Sequence, residues 1–507
     1  MSHERRHHHI VMIVANEVTN DSRVQKTAIA AVEAGYRVTV VGMSTTGERY
    51  EEDLHGATLI RVPVPFTLKK AAKATARSHA KERVAPAELA AVRLRMQFRH
   101  RQHLARIADL RARIDGLKRR GGSRVQIRLL WGALLVTRRW ARRRRALSEW
   151  ALRRRQRRVA HAHAAAGARV TNWRDQLPVL SDFELAYLDV LEELDFDLIH
   201  AHDYQMIACA NHAAILSGRS PRFVYDAHEY VRGLPNLPPE GLAARVALEH
   251  EHIRDADAVI TVSPLLSERL ARDHGLREPP QLVLNAPLAD CFDASSDLSV
   301  RATAGVSDAT PLAVYAGGVK PERGIATLVK ALPSIPELHC AIVASSPGSA
   351  SVQDLLELAA EHGCADRIHI VAYVPQDEVI NYIRTADIGV HTILRSGNAE
   401  VALPNKLFEY LQAGVPMAVT EMPMMAELVR EHGWGEVFAP GDHEQLAAAL
   451  KRLLADPEPY RRRLADRSVR AEYSWERQAE TLIGTYDRLL GIDPIDDGVG
   501  SGAALKV

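Results

Sequence analysis

Short apolar runs alternate with stretches of helical spacing along most of this chain, and the alternation is completed twice. Ile10–Ala15 (IVMIVA) reads as a buried strand, the turn-rich NEVTNDSR follows, and VQKTAIAAVEAG carries apolar residues at helical spacing up to a stop at Gly35. Val38–Val41 is the next strand and Leu59–Val64 a third, so the chain opens as a βαβ unit. After a long interruption the same pattern resumes near Leu177. Asp197–His200, Phe223–Asp226, Ala258–Val262 and Gln281–Leu284 are strands, with a helix through Met206–Leu216 and Ser263 capping the helix PLLSERLARDHG.

A second βα series starts beyond a polar stretch, Asn285–Thr310, read as a linker. Leu312–Tyr315, His339–Val343, Ile368–Val371, Ile388–Thr392 and Met417–Val419 are strands, and Val437–Phe438 lies near the end of the set. Gln445–Leu454 and Trp475–Leu490 are amphipathic helices, and the tail 493–507 is Gly/Asp-rich and expected to be loose. The fold class is therefore α/β, with two doubly wound, Rossmann-like domains expected at 1–290 and 305–474. Ligands of such sheets meet the carboxyl ends of the strands, so a cleft is expected there.

The interruption is unusual in charge. Residues 69–174 hold 31 Lys and Arg against five acidic residues, although the whole chain has a formal net charge of only +2. This basic segment is rich in Ala, Leu and Arg and is expected to be a helical insertion in the first domain. Val125–Val136 (VQIRLLWGALLV), with Trp131, precedes TRRWARRRR with Trp140. The apolar run is too short to span a bilayer, which takes about 20 residues. Apolar bulk and Trp beside dense arginine fit an interfacial helix on an anionic membrane surface. A helical hairpin shielding the cleft or forming an oligomer contact is the alternative reading. Nucleic acid is a further one, although no recognised module supports it.

Four scattered cysteines (Cys209, Cys291, Cys340, Cys364) form no C-x-x-C pair, which suits a reducing cytosol rather than a disulfide framework or a zinc site. Met1–His9 is polar and runs straight into an apolar strand, unlike a secretory leader, and His7–His9 reads as a mobile, solvated start. The expected location is cytoplasmic, peripheral on the inner membrane face. Neither series shows G-x-G-x-x-G after its first strand, which weakens a dinucleotide-oxidoreductase reading.

The most informative stretch is Leu403–Pro416, LPNKLFEYLQAGVP. A loop with Asn405 and Lys406 enters a helix, Glu409 lies on its first turns, and Gly414 and Pro416 end it. A helix N-terminus beside a lysine suits a diphosphate, and a carboxylate one turn in suits a ribose diol. This block resembles the donor-binding signature of glycosyltransferase family 4. So do, in order, NDSRV with Gly35–Tyr36, DLIHAHD at 197–203, YDAHE at 225–229, ITVSP at 260–264 and YAGGVKPERG at 315–324. The resemblance covers roughly Ile10–Pro65 and Leu180–Leu490 and leaves the basic segment unmatched.

It implies a GT-B fold and a nucleotide-sugar donor, with no metal and no other cofactor. Glu409 matches the second glutamate of the family's E-x7-E motif, which holds the ribose. The first would fall at Val401, with Glu400 one residue away, so main-chain N–H groups around Ala402–Asn405 are expected to share in reading the sugar. In YAGGVKPERG, Gly318 stands where the family usually has arginine, and Arg323 becomes the candidate diphosphate clamp beside Lys406, with Lys320 as a compensating cation. The resemblance places a histidine beside the reacting sugar, and His202 is preferred over His200. His228 and Glu229 are candidates for the acceptor or a sugar hydroxyl, and Arg23 for an anionic acceptor or the diphosphate. A metal reading of His200, His202 and Asp203 is the weaker one.

The resemblance implies retention of anomeric configuration. No carboxylate is placed by motif as a covalent nucleophile, so front-face substitution assisted by the leaving diphosphate is expected. The final helix, SWERQAETLIGTYDRLL at 474–490, is expected to cross back onto the first domain. The product expected is a cell-surface polysaccharide or glycolipid, from a sugar or lipid-linked acceptor. A nucleotide-sugar epimerase of the same fold stays open as an alternative, as does a non-catalytic basic scaffold.

Overall fold

The computed structural model describes residues 5–79, 104, 106–119, 123–140, 173–289 and 296–492. The expected loose tail 493–507, the arginine block 142–145 and much else of the basic insertion lie outside these. Two sheets organise the chain. The first has the strand order β3-β4-β2-β1-β5-β6-β7-β8, with β1 His9–Ile13, β2 Arg37–Ser44, β3 Tyr50–Leu54, β4 Ala57–Pro63, β5 Leu198–His202, β6 Arg222–Ala227, β7 Ala258–Thr261 and β8 Gln281–Leu282. The second has the order β11-β10-β9-β12-β13-β14, with β9 Leu312–Ala316, β10 His339–Ala344, β11 Ile368–Ala372, β12 Ile388–His391, β13 Met417–Thr420 and β14 Gly435–Phe438.

Register follows the apolar runs. His9 pairs with Arg37 and Ile10 with Leu198, so β1 is sandwiched in parallel between β2 and β5 and all five of its residues are buried. Parallel strands covered on both faces read as continuous apolar runs, which is why they were visible in the sequence. The second sheet has the same inner order, β10-β9-β12-β13, with Ala313 of β9 paired to both Cys340 and Ile388. Strand order reverses between β1 and β5 in one sheet and between β9 and β12 in the other. A doubly wound sheet opens a crevice at that reversal, beyond the strand ends.

Four features depart from the sequence reading. Strand β3 (YEEDL) went unseen because it is an antiparallel edge, its residues are mostly exposed, and no apolar alternation marks it. His9 is not part of a solvated start: it is buried, with Nδ1 2.5 Å from the Asp195 carbonyl and Nε2 2.8 Å from Thr39 Oγ1. Burial pushes its pKa down to about 4. The polar stretch read as a linker contains the helix Val300–Thr303, where Arg301 is held by the carbonyls of Ser307, Thr310 and Thr385 and by Asp387. Finally, packing divides the chain into one unit of 1–227, 238–259 and 482–507 and another of 228–237 and 260–481, rather than near 290.

That earlier division has a local cause inside the second unit. The Ser263 hydroxyl donates to the Val401 carbonyl, Arg269 pairs with Glu400, and the Tyr230 N–H donates to Asn398 Oδ1 at 2.8 Å. The helix Trp475–Leu490 is counted in both units, changing at Leu482. Within the second unit, Gln478 accepts from the Leu284 N–H at 2.9 Å. Within the first, Asp487 accepts from Arg5 Nε at 2.8 Å and from the Tyr36 hydroxyl at 2.5 Å.

Candidate active site

Two clusters lie at the reversal points, one in each sheet. In the second unit, β9 runs out through Gly317 and Gly318 into a short 3-10 turn, Pro321–Arg323. Gly317 has φ +144, and a Cβ there would lie 2.5 Å from Lys406 Cε, so only glycine lets the lysine stem lie on this turn. Gly324 has φ +67, and a Cβ on it would meet the Thr392 carbonyl at 2.1 Å. Thr392 Oγ1 donates to the Arg323 carbonyl at 2.8 Å, and the Leu394 N–H donates to the Glu322 carbonyl at 3.0 Å. The end of β12 thus fixes the Arg323 turn. The Tyr315 hydroxyl donates to the Gly318 carbonyl at 3.0 Å and fixes the other side.

Lys406 sits in the first turn of the helix Asn405–Ala413, which has no side-chain cap and no acidic residue in that turn. A cation at a helix N-terminus opposes the helix dipole unless an anion is also present. Lys406 and Arg323 have no ion-pair partner among the described residues. Both act on His391, the last residue of β12: burial first, then Lys406 and Arg323, push its pKa down to about 3. His391 Nδ1 is buried and has no hydrogen-bond partner among the described residues. The sequence had not pointed to His391, because its only signal is a polar residue closing an otherwise apolar strand.

Glu409 lies on the same helix, is 4% exposed, and accepts no hydrogen bond from the described residues. Its charge contributes, after burial, to raising the pKa of Tyr373, an exposed ring beyond β11. Asn405 is half-buried at the helix start. The main-chain N–H groups of Leu403, Asn405 and Lys406 make no hydrogen bond to a described residue, whereas that of Ala402 donates to the Ala399 carbonyl at 3.4 Å. Val401 is fully buried. Glu400 is engaged by Arg269 at 3.3 Å and Arg395 at 3.2 Å, so it is not an unoccupied carboxylate. Gly318 and Lys320 are exposed.

The first unit's cluster is the opposite in character. Arg23, 2% exposed on the first helix, donates from Nε and Nη2 to the two oxygens of Asp226 at 2.7 and 2.8 Å. His200 and His202, two apart on β5, stack with ring centroids 4.2 Å apart. His202 Nδ1 is 3.4 Å and His200 Nε2 3.7 Å from Asp226 Oδ2, and His200 Nδ1 is 2.6 Å from the Tyr486 hydroxyl. Burial and then the His202 charge push the His200 pKa down to about 3. His202 itself has no exposed surface.

His200, His202 and Asp226 bring their ligand atoms within 4.8 Å of one another, a spacing a metal ion accepts. The Arg23 guanidinium, however, already occupies both carboxylate oxygens as the local cation. Asp203, which the sequence grouped with the histidines, instead turns the chain after β5 at φ +65, and its side chain accepts from the Tyr204 N–H. His228 and Glu229 are half-buried just after β6 and count with the second unit.

Comparison with known proteins agrees with this architecture. The model described as glycosyl transferases group 1 matches residues 300–469, and that described as glycosyltransferase family 4 matches 150–286. An uncharacterized glycosyltransferase of Methanocaldococcus jannaschii is 26% identical over 309 residues, 59% of this chain and 77% of that protein. A D-inositol 3-phosphate glycosyltransferase of Mycolicibacterium gilvum is 22% identical over 294 residues, 57% of this chain and 60% of its own length, so under two thirds of that relative is spanned.

Among solved structures, sucrose-phosphate synthase from Thermosynechococcus elongatus matches with a TM-score of 0.62 at 16% identity, covering 96% of this chain and all of that one. Anabaena HepE, solved with UDP and glucose, matches with a TM-score of 0.51 at 17% identity over 63% of this chain and 84% of its own. With two family models together matching more than half of its length, and two parallel-dominated sheets of doubly wound order, the chain belongs to glycosyltransferase family 4 and is an enzyme with the GT-B fold.

Proposed function

We propose that this glycosyltransferase takes its sugar from a nucleoside diphosphate sugar held in the second unit, and transfers it to an acceptor hydroxyl with retention of configuration. The observation that carries the reading is the pair Arg323 and Lys406, two cations with no acidic partner among the described residues, together with the buried Glu409, which accepts from no described donor. A half-buried cation such as Lys406 and a buried carboxylate such as Glu409 are normally paired, so this pair, with the exposed Arg323 acting on the same histidine, is complementary to a ligand with a diphosphate and a diol. Lys406 and Arg323 take the diphosphate, Glu409 the ribose hydroxyls, and the N–H groups of Leu403, Asn405 and Lys406 the remaining oxygens. Gly318 leaves the approach to the diphosphate open, and Tyr373 offers a ring beside the ribose.

The two cations stabilise negative charge as the diphosphate leaves, and the leaving oxygen takes the acceptor proton in a front-face substitution. No metal is assigned. His202 is given to the reacting sugar, and its complete burial means that the end of β5 must open when substrate binds. Arg23, bound to Asp226, is assigned to positioning that histidine pair rather than to direct anion binding. His228 and Glu229 are assigned to the acceptor or a sugar hydroxyl. Uridine is the first base to test, because HepE was solved with UDP. The product class proposed is a cell-surface polysaccharide or glycolipid made at the cytoplasmic face.

Thermal stabilisation by a panel of nucleoside diphosphates and sugar nucleotides tests the donor half. One nucleotide should raise the melting temperature of the wild type and leave Glu409→Ala unmoved. Equal shifts in both proteins, or none with any nucleotide, would remove the assignment. Consumption of the sugar nucleotide without any acceptor would favour an epimerase.

A further inference from the structure

We propose that the helical segment 124–140 docks on an anionic lipid bilayer surface through an exposed apolar stripe. Val125, Leu129, Val136 and Trp140 are 66%, 70%, 69% and 45% exposed. At the helical turn of about 100° per residue, these four positions fall within about 60° of one another. They therefore form one stripe and not four scattered side chains. Arg139, Arg128 and Arg124 follow along one flank within about a further 100° of arc. The opposite face is the protein-facing one: Leu134 is fully buried there, as is Ile114 in the neighbouring helical segment 106–119. Lys118 of that segment sits over the Trp131 ring at 5.6 Å.

An ordinary soluble helix has one apolar face, and this one has two. The first is used inside the unit, and the second is exposed with arginines at its edge. A stripe of this kind is complementary to a surface with hydrocarbon beneath a layer of negative charge. Duplex nucleic acid supplies the charge but nothing for Leu129 or Val136. A second copy would bring another segment with 31 basic and five acidic residues against this one, and like charges oppose that contact. The same helix cannot cross the membrane: no helix among the described residues is long and apolar enough to do so. Surface docking places the enzyme where a lipid-linked acceptor would be met, but it stands independently of the donor assignment.

Flotation of the full-length protein with vesicles tests it, using phosphatidylcholine alone and an equal mixture with phosphatidylglycerol at physiological salt. The wild type should float with the mixed vesicles and bind the neutral ones at least about tenfold more weakly. Leu129→Asp with Val136→Asp should reduce binding to mixed vesicles about tenfold or more, with the apparent melting temperature unchanged. Arg128→Gln with Arg139→Gln, which leaves the apolar stripe intact, should lower it several-fold. Three results would overturn the proposal. These are equal binding to both vesicle types, no effect of the aspartate pair, or a wild type that ignores vesicles while binding duplex oligonucleotide or forming dimers that the aspartate pair abolishes. A nucleotide-induced melting shift, measured in parallel, tells failure of this surface from failure of the donor site.

Discussion

The two strand-end clusters use similar residue types to opposite effect. In the first unit, Arg23 and Asp226 satisfy each other as a bidentate pair, two histidines stack beside them, and the whole group is sealed. In the second, Arg323 and Lys406 face no acid and Glu409 faces no donor among the described residues. The contrast teaches where the fold compensates its own charges and where, among the described residues, it does not. A closed charge pair makes losing either partner expensive, whereas an open pair of cations mainly costs repulsion until an anion arrives.

Substitution should separate these roles, with the largest effect in the sealed cluster. Asp226→Ala leaves the Arg23 guanidinium buried without its carboxylate and should destabilise the fold by about 3–5 kcal/mol in denaturant titration. A loss below about 1 kcal/mol would dissolve the contrast. In the open cluster, Lys406→Ala and Arg323→Ala should each weaken nucleotide diphosphate binding by about 1.5–3 kcal/mol, read by calorimetry. The unliganded melting temperature should hold or rise. If either variant instead melted early, the cations would be structural.

Acid sharpens the comparison further. His391 and His200 have folded pKa values lowered to about 3 from an ordinary 6.5, so the unfolded chain binds protons that the folded chain refuses. Their contribution to stability is complete above pH 6.5 and is lost as pH falls from there toward 3, at up to about 1.4 kcal/mol per pH unit for each group. Melting followed from about pH 7 to about pH 4.5 should show this decline, and His391→Gln should make it shallower. Bound diphosphate should also make it shallower, by neutralising Lys406 and Arg323 and so relieving His391. An unchanged slope in the variant would show that His391 titrates normally. The smallest effect belongs to Glu400→Gln. It loosens only the partly exposed contacts to Arg269 and Arg395 and should cost under about 1 kcal/mol, with donor affinity nearly unchanged. A large loss of donor affinity would return Glu400 to the sugar.

Much of the fold was legible because strands buried on both faces must be apolar throughout. Ile10–Ile13, Leu312–Ala316 and Met417–Val419 announce themselves for that reason. Strand β3 did not, since an exposed acidic edge has no such requirement. At the candidate site, Lys406 and Glu409 were nominated by their places at a helix start, and Arg323 by the resemblance of YAGGVKPERG to the family's motif. His391 was not, because only packing brings it into the field of Lys406 and Arg323 from other elements. The sealed Arg23–Asp226 pair spans more than 200 positions of sequence, and no local pattern encodes it.

By itself, then, the sequence determined two doubly wound series, the phosphate-suited helix start and a basic insertion with an apolar run, because periodicity and residue type are local properties. Only the tertiary structure decided which charges are compensated. It closed Asp226 on Arg23, left Arg323 and Lys406 without an acidic partner among the described residues, and turned Val125, Leu129 and Val136 outward. Compensation and exposure depend on what other elements bring within a few ångströms, and a linear chain does not carry that information in any one window.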